Sequence, residues 1–317
     1  MIAIEVTAKS LQIVSLVESN HGASVKKCVS VPIPVGMVKN GYIDSLPSLA
    51  EHIQTALFEN GIKEKKISFT IDTTAIKTKQ VEVPFDTREH VLQFMKKAMG
   101  ELITDEEHMM DYITHYIRKE KKRKYINATI YAIPRSMVQR YIDLAKELKL
   151  AVWRIDILND AMAKQIEQRN PVKKVSAKKN KEAEQQVGAQ KIWVGIYYER
   201  LKIITQSAEG ALSNRTIMIG FDAGMFSGDV EQEQKLITRY VDEIRKHNMI
   251  QENASGGDPV ESIELFGEHP MLSQMRELVQ KITEIDTRLM EKPKQIKGIS
   301  QEEYPRFAGA IGSSIRR

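Results

Sequence analysis

The stretch IAIEVTAKSLQIVSL, from Ile2 to Leu16, recurs in kind as IWVGIYYERLKIITQ, from Ile192 to Gln206. Such a repeat limits the possible folds more than composition can. At an offset of 190 residues, Ile2, Ile4, Val6, Leu11, Ile13 and Val14 fall on Ile192, Val194, Ile196, Leu201, Ile203 and Ile204. Every pair is apolar on apolar, and the alternation is that of strands. Between the runs, Thr7-Ala8-Lys9-Ser10 and Tyr197-Tyr198-Glu199-Arg200 form a turn. Gly22-Ala23 then matches Gly210-Ala211, and VKKCVSVP matches SNRTIMIG. Each copy therefore reads as a three-strand meander with the same turn positions. A duplicated half explains this better than coincidence.

The elements between follow from local signals. DSLPSLAEHIQTALFENG predicts a helix capped by Ser45, with Pro47 in its first turn and Leu49, Ile53 and Leu57 on one stripe. Gly61 ends it in the left-handed conformation. KISFTIDTTAIKTKQVEVP gives two strands, and DTREHVLQFMKKAMG a helix with Asp86 and Glu89 placed as a capping box. A hairpin with its tip at Lys119 to Lys124 follows, then a helix capped by Ser136 and the strand AVWRIDIL. Residues 67–158 thus read as a compact α+β unit. From Glu167 to Gln190 the pattern gives way to a polar, lysine-rich linker. Beyond the second meander come a helix near 230–247, a break at Gly256-Gly257-Asp258-Pro259, the strand SIELFG and the helix PMLSQMRELVQKIT. The last element is a small-residue helix, EYPRFAGAIGSSIRR.

Composition excludes several classes of function. At 317 residues, 42% hydrophobic and 28% charged, the chain reads as an ordinary globular protein with room for about two domains. No apolar run approaches the roughly 18 residues of a membrane span, and the start runs into a strand with no basic leader. Cys28, the single cysteine, reads as a buried thiol, and a reducing cytoplasm fits. The seven histidines, His108 and His115 among them, show no metal-ligand spacing. Asp105-Glu106-Glu107 reads as a helix start or acidic loop, with a general-acid pair as the remote alternative. No serine or cysteine nucleophile motif is present. The basic tip RKEKKRK, Arg118 to Lys124, is either a solvated tip or a contact for anionic lipid, and the linker run KKVSAKKNK admits both readings. The net charge of +5 permits acidic partners, but no aromatic residues interleave these lysines, which disfavours nucleic acid.

The order of motifs resembles the actin-like ATPase fold, a duplicated α/β architecture of ribonuclease H-like halves. Within it the chain looks like the PilM-type type IV pilus assembly proteins, relatives of the division protein FtsA. The residues that carry the resemblance are the opening hairpin AIEVTAKS, the inserted unit 67–158, Asp242-Glu243-Ile244-Arg245 at a helix end, and the closing PRFAGAIG helix from Pro305 to Gly312. It implies a subdomain 1A over 1–66, completed by 159–170 and 303–317. An inserted 1C or SHS2-type subdomain would span 67–158, a linker 171–190, and the second actin-like half 191–302.

In that fold the two hairpin tips pinch nucleotide phosphates, with glycines for close backbone approach and carboxylates to hold magnesium. By position, the family's first aspartate is Glu5 here and its glycine Thr7, with Lys9 and Ser10 beside them. The second aspartate is Gly195 and its glycine Tyr197, followed by Tyr198. Glu243 lies in the helix motif, and of the adenosine-side glycines only Gly267 remains, in FGEHP, where His269 and Pro270 crowd the adenine position. Glu5 keeps a charge one methylene farther out. The resemblance therefore implies a non-enzymatic cytoplasmic scaffold with a degenerate cleft and no expected cofactor. Its partner would be the short cytoplasmic tail of a PilN-like membrane protein, in a groove between 1A and 1C, with coupling to the pilus motor ATPase at the inner face of the membrane. The alternative is an ATP–magnesium switch or filament protein like FtsA; a sugar-kinase-like enzyme is a third class.

Overall fold

The computed structural model describes residues 1–19, 22–84, 87–100, 103, 107–120, 123–169, 189–207, 212–219, 230–254 and 259–315. β1 (Ile2–Val6), β2 (Ser10–Ser19) and β3 (Gly22–Pro32) form the first meander. A short ribbon, β4 (Val38–Lys39) and β5 (Tyr42–Ile43), leads into α1 (Leu46–Glu59). β6 (Lys66–Ile71) then lies parallel to β1, with Ile2 opposite Ile67. The chain next leaves this sheet. β7 (Lys77–Pro84), α2 (Arg88–Met99), β8 (His108–Glu120) and β9 (Arg123–Pro134) build a separate antiparallel sheet, ordered β7-β9-β8. It returns through α3 (Arg135–Glu147) to β10 (Ala151–Ile157), parallel to β6, and α4 (Leu158–Arg169).

The second half repeats the plan with β11 (Gln190–Ile196), β12 (Arg200–Gln206), β13 (Leu212–Met218), α5 (Val230–Ala254), β14 (Val260–Phe266), α6 (Leu272–Thr283) and β15 (Asp286–Leu289). β16 (Ile296–Lys297) crosses back to β3, and α7 (Tyr304–Ser314) closes the chain. The sheets are β10-β6-β1-β2-β3-β16 and β13-β12-β11-β14-β15. Without β16 they share one order and one set of strand senses.

The strand period of two distributes the core. Ile2, Ile4 and Val6 face α1 and α3, while Ala3, Val14 and Leu16 face α4 and α7. In the second sheet Ile192, Val194 and Ile196 face α5 and α6, while Trp193, Tyr197 and Ile204 turn to the same central layer. The helices α4 and α7 are thus packed between the two sheets. Small residues permit this. The position a Cβ on Gly309 would take is 2.2 Å from Glu5 Oε2, and on Gly312 it is 2.2 Å from the Ala161 carbonyl oxygen.

Several expectations change. The repeat pairs as expected through its first hairpin: Ile2 opposes Ser15, and Ile192 opposes Thr205. The third strand departs from its sequence match, because Ser15 opposes Lys27 whereas Thr205 opposes Ser213, so Lys27 corresponds to Ser213 instead of Arg215. The first β2–β3 ribbon is longer and bulged beside Ser15, and that moves the match by two residues. The inserted unit is narrower than 67–158, since β6 and β10 both pair within the first sheet and α3 packs beside α1. What leaves the sheet is 77–134. The second half, drawn as 191–302, loses 296–297 to the first sheet. The linker drawn as 171–190 lies outside the described residues up to 188, and Gln190 already opens β11.

The caps also differ. Thr87 caps α2, accepting from the His90 N–H, while Asp86 lies outside the described residues. Ser45 occupies its N-cap position but spends its hydroxyl on Ser48, and Ser136 lies inside α3, which Pro134 precedes. The Asp242–Arg245 motif lies within α5, which continues to Ala254.

Candidate functional site

The two hairpin tips meet at the carboxyl ends of β1, β6, β11 and β14, where ligands sit in open α/β sheets. They share one turn. The Thr7 N–H donates to the Ser10 carbonyl at 3.0 Å, and the Tyr197 N–H to the Arg200 carbonyl at 3.1 Å. Ile33 and Ile219 then donate to the Lys9 and Glu199 carbonyls at 2.9 and 2.8 Å. The shape is conserved between halves; the side chains are not.

At the first tip the Thr7 hydroxyl oxygen accepts from the N–H groups of Lys9 and Ser10, at 3.3 and 3.0 Å. Its proton has two acceptors in reach, the Ser10 carbonyl at 3.0 Å and, shorter at 2.6 Å, Glu268 Oε2 in the second half. Ser10 Oγ accepts from Gln12 Nε2 at 2.7 Å and donates to the same Glu268 oxygen. Lys9 Nζ lies 5.9 Å from the Tyr198 ring centroid. Burial lowers the Lys9 pKa, and the Glu268 charge opposes that.

The second tip reaches into the first half. The Tyr197 hydroxyl donates to Glu5 Oε1 at 2.7 Å. Arg200 Nε lies 2.8 Å from Asp72 Oδ2, an ion pair without the alignment of a hydrogen bond, and Arg200 Nη2 donates to the Asp72 carbonyl at 3.3 Å. Lys202 Nζ reaches Asp72 Oδ1 at 3.3 Å. The guanidinium also lies over the Tyr197 ring, 5.6 Å from its centroid. Glu5, Asp72, Arg200 and Lys202 are each only 2% exposed, so these groups sit outside water and the charges of Asp72, Arg200 and Lys202 depend on each other.

Burial sets the charge states. It raises Glu5 to about 8, against the hydrogen bond from Tyr197, with Glu268 and Asp72 raising it further. The expectation that Glu5 keeps its charge is therefore corrected: at neutral pH the protonated form predominates. Burial also raises Asp72, but Arg200 and Lys202 outweigh it and hold the carboxyl below its ordinary range. Glu268 is raised by burial, opposed by the hydroxyls of Ser10 and Thr7.

Gly195 and Gly267 hold their places by sterics. A Cβ at Gly195 would stand 2.7 Å from Phe266 Cζ and 2.9 Å from Tyr197 Cε2, so a carboxylate there has no room. Gly267 has φ +114°, and a Cβ would meet the Ile196 carbonyl oxygen at 2.5 Å. His269 packs between Tyr198 and Tyr240, at 5.2 and 5.7 Å, and burial depresses its pKa to about 4. Tyr240 donates its hydroxyl to the Tyr197 carbonyl. Glu243 does not join this cluster; it pairs along α5 with Lys246 at 2.7 Å.

Of the residues singled out by sequence, Glu5, Thr7, Ser10, Gly195, Tyr197 and Gly267 converge, with Lys9 at the margin. Asp72, Arg200, Lys202 and Glu268 were missed as partners. One signal was available: Arg200 and Lys202 alternate with the apolar Leu201 and Ile203 in β12. Cys28 is half-buried, its thiol raised to about 12 by burial and then by Glu303. Among the described residues no group of three or more His, Cys, Asp or Glu is placed to hold a metal. No helix among them is long and apolar enough to cross a membrane. The tip residues 121–122 and Asp105-Glu106 lie outside the described residues.

A second feature is a cavity of about 650 Å³ between the first sheet and the inserted one. β8 lines it from Met109 to Thr114 and β10 from Arg154 to Ile157. Strands show alternate side chains to each face, so unbroken runs mean that strand edges face the space. Both are edge strands of their sheets. Asp156 and Asp160 line one side, each paired with Lys164, which is 3.0 Å from Asp160. Burial, then Asp160, raises the Asp156 pKa.

Comparison with known proteins agrees with this architecture. A family model described as type IV pilus assembly protein PilM matches residues 3–310. No curated protein sequence matches the chain. Among solved structures, a PilM-PilN type IV pilus biogenesis complex superposes with TM-score 0.77 at 14% identity, over 99% of this chain and 97% of that one. The ethanolamine utilization protein EutJ of Carboxydothermus hydrogenoformans gives 0.51 at 8%, over 99% and 88%. A Bacteroides thetaiotaomicron protein of actin-like ATPase fold and unknown function gives 0.48 at 8%, over 91% and 90%. The chain shares its fold with that PilM-PilN structure.

Proposed function

The chain belongs to the family of type IV pilus assembly protein PilM, and from that premise we propose that it is a non-enzymatic scaffold of the pilus machine that docks the cytoplasmic tail of a PilN-like membrane protein. The docking site is the cavity between β8 and β10. The observation that carries this reading is the pair of strand edges facing one space. An extended tail can add to either edge through main-chain hydrogen bonds and set its apolar side chains against Met110, Tyr131 and Ile155. A tail disordered when free pays its ordering cost on docking, which suits a regulated contact. The similar solved structure is itself a complex with PilN.

The cleft between the tips is read as degenerate. Triphosphate and magnesium do not fit these residues. Glu268 takes up the hydroxyls of the first tip, the Tyr197 ring fills the second, and Gly195 offers no carboxylate. Position and charge stabilisation are what phosphoryl transfer needs, and both are wanting. Further parts of the proposal are a place at the inner face of the membrane, with the basic tip near anionic lipid, and coupling to the pilus motor ATPase.

Titration of the protein with a synthetic PilN-like tail peptide by calorimetry tests the docking. We expect micromolar binding, weakened at least about tenfold by Met110→Arg, which sets a charge into the cavity. Wild-type protein that shows no heat at high micromolar peptide ends the proposal. Equilibrium dialysis with ATP and Mg²⁺ tests the cleft, and tight binding abolished by Glu5→Ala favours the FtsA-like switch instead.

A further inference from the structure

We propose that the first hairpin tip is still an oxyanion site and that its resident ligand is the chain's own Glu268 carboxylate, which latches the second half onto the first. This rests on the reading of the cleft as closed to nucleotide.

The tip is built as a cup. Backbone N–H groups of Lys9 and Ser10 donate to the Thr7 hydroxyl oxygen, and Gln12 Nε2 donates to Ser10 Oγ. Each hydroxyl is thereby supplied from behind and directs its own proton forward. Both protons converge on a single oxygen, Glu268 Oε2. Such convergence of positioned donors marks oxyanion recognition. Thr7, Ser10 and Glu268 are 2%, 8% and 6% exposed, so the site is closed to solvent.

The carboxylate is delivered by a fixed turn. Gly267, at φ +114°, donates its N–H to the Pro305 carbonyl at 3.0 Å, and the His269 N–H donates to the Ile196 carbonyl at 3.3 Å. Those bonds bracket Glu268 and aim it across the cleft. A tethered ligand acts at an effective concentration of about millimolar or more. A free phosphate must displace it and break the contact between the halves.

The test is anion rescue in the full-length protein. Glu268→Ala should melt about 5 °C below wild type. Acetate or phosphate should restore about half of that loss, with chloride at equal ionic strength restoring none. Phosphate and acetate raise the melting point of any fold more than chloride does, so rescue is counted as the variant's gain beyond that of wild type in the same salt. In a Thr7→Val/Ser10→Ala background, Glu268→Ala should cost little more, because the cup is already gone. Should the alanine variant not fold, Glu268→Asp, one methylene short, serves for the same comparison. Rescue that merely tracks chloride, or additive losses in the double background, overturns the assignment. Binding of ATP to wild-type protein in dialysis would overturn only the reading of the cleft, since rescue is measured without nucleotide.

Discussion

Glu5 shows how far a residue's role can depart from its position. The resemblance to actin-like proteins implies a metal-supporting carboxylate at this position, yet burial raises Glu5 to about 8 and Tyr197 donates to it. The folded state therefore holds its proton more tightly than the unfolded state does. Stability from this group is complete below the ordinary value of 4.5 and is lost as pH rises through about 8. Between about pH 6 and pH 8 the loss should be on the order of 2 kcal/mol. Urea titrations at both pH values should show it, and Glu5→Gln, which keeps an acceptor for Tyr197, should flatten it. An unchanged pH slope in the glutamine variant would assign the titration elsewhere. Gly309 belongs to the same argument. Its missing Cβ is the space Glu5 occupies, and Gly309→Ala should cost about 2–3 kcal/mol by overpacking. Glu5, Thr7 and Gly267 were legible in the sequence because their positions follow from one repeat and one motif. Asp72, Glu268 and the charge state of Glu5 were not, because partners across a cleft and the loss of water are set by tertiary packing.

At the scale of elements, the first hairpin of each repeat was read correctly, whereas the N-caps of α2 and α3 were not. Alternation of apolar residues reports burial along a whole strand, so Ile2, Ile4 and Val6 identify β1 with little ambiguity. A cap depends on the conformation of one residue, and neighbouring candidates compete. At α2 the hydroxyl of Thr87 receives the His90 N–H, so Thr87→Ala should cost about 1 kcal/mol. Ser136→Ala should cost almost nothing, since Ser136 lies inside α3 and Pro134 precedes that helix. Paired thermal melts of the two variants check this, and equal losses would contradict the cap assignment. The third strand of each meander was misaligned for a related reason. The bulge adds one residue to β3 and the two ribbons differ in length, while a shift by two leaves the same faces inward, so the apolar pattern alone does not fix the pairing. The short β15 and β16 carry too few residues for any periodic signal.

For the molecule as a whole, duplication was visible in the sequence but the interlock between the halves was not. Residues 67–158 looked self-contained because strand and helix alternate there; parallel pairing of β6 and β10 with the first sheet is non-local and leaves no local trace. The halves share one central core around α4 and α7, and beyond it they are joined by buried polar contacts. Arg169 forks onto Glu264 at 2.5 and 2.6 Å on one side. Asp72 faces Arg200 and Lys202 on the other. Buried pairs of this kind add little over apolar residues, but removing one partner strands the rest. Asp72→Ala leaves buried Lys202 without its carboxylate and Arg200 with Glu199 as its remaining partner, and should cost about 3–5 kcal/mol. Adding Arg200→Leu and Lys202→Leu removes the stranded charges, and the triple variant should recover most of that loss. Because Arg200 and Lys202 belong to the second half and Asp72 to the first, the single variant should also loosen the joint. Amide hydrogen exchange would then rise at the ends of β6 and β12 before it rises at α1 or α6. A single variant that loses under about 1 kcal/mol, with exchange unchanged at those strand ends, would show that the shared apolar core alone holds the halves together.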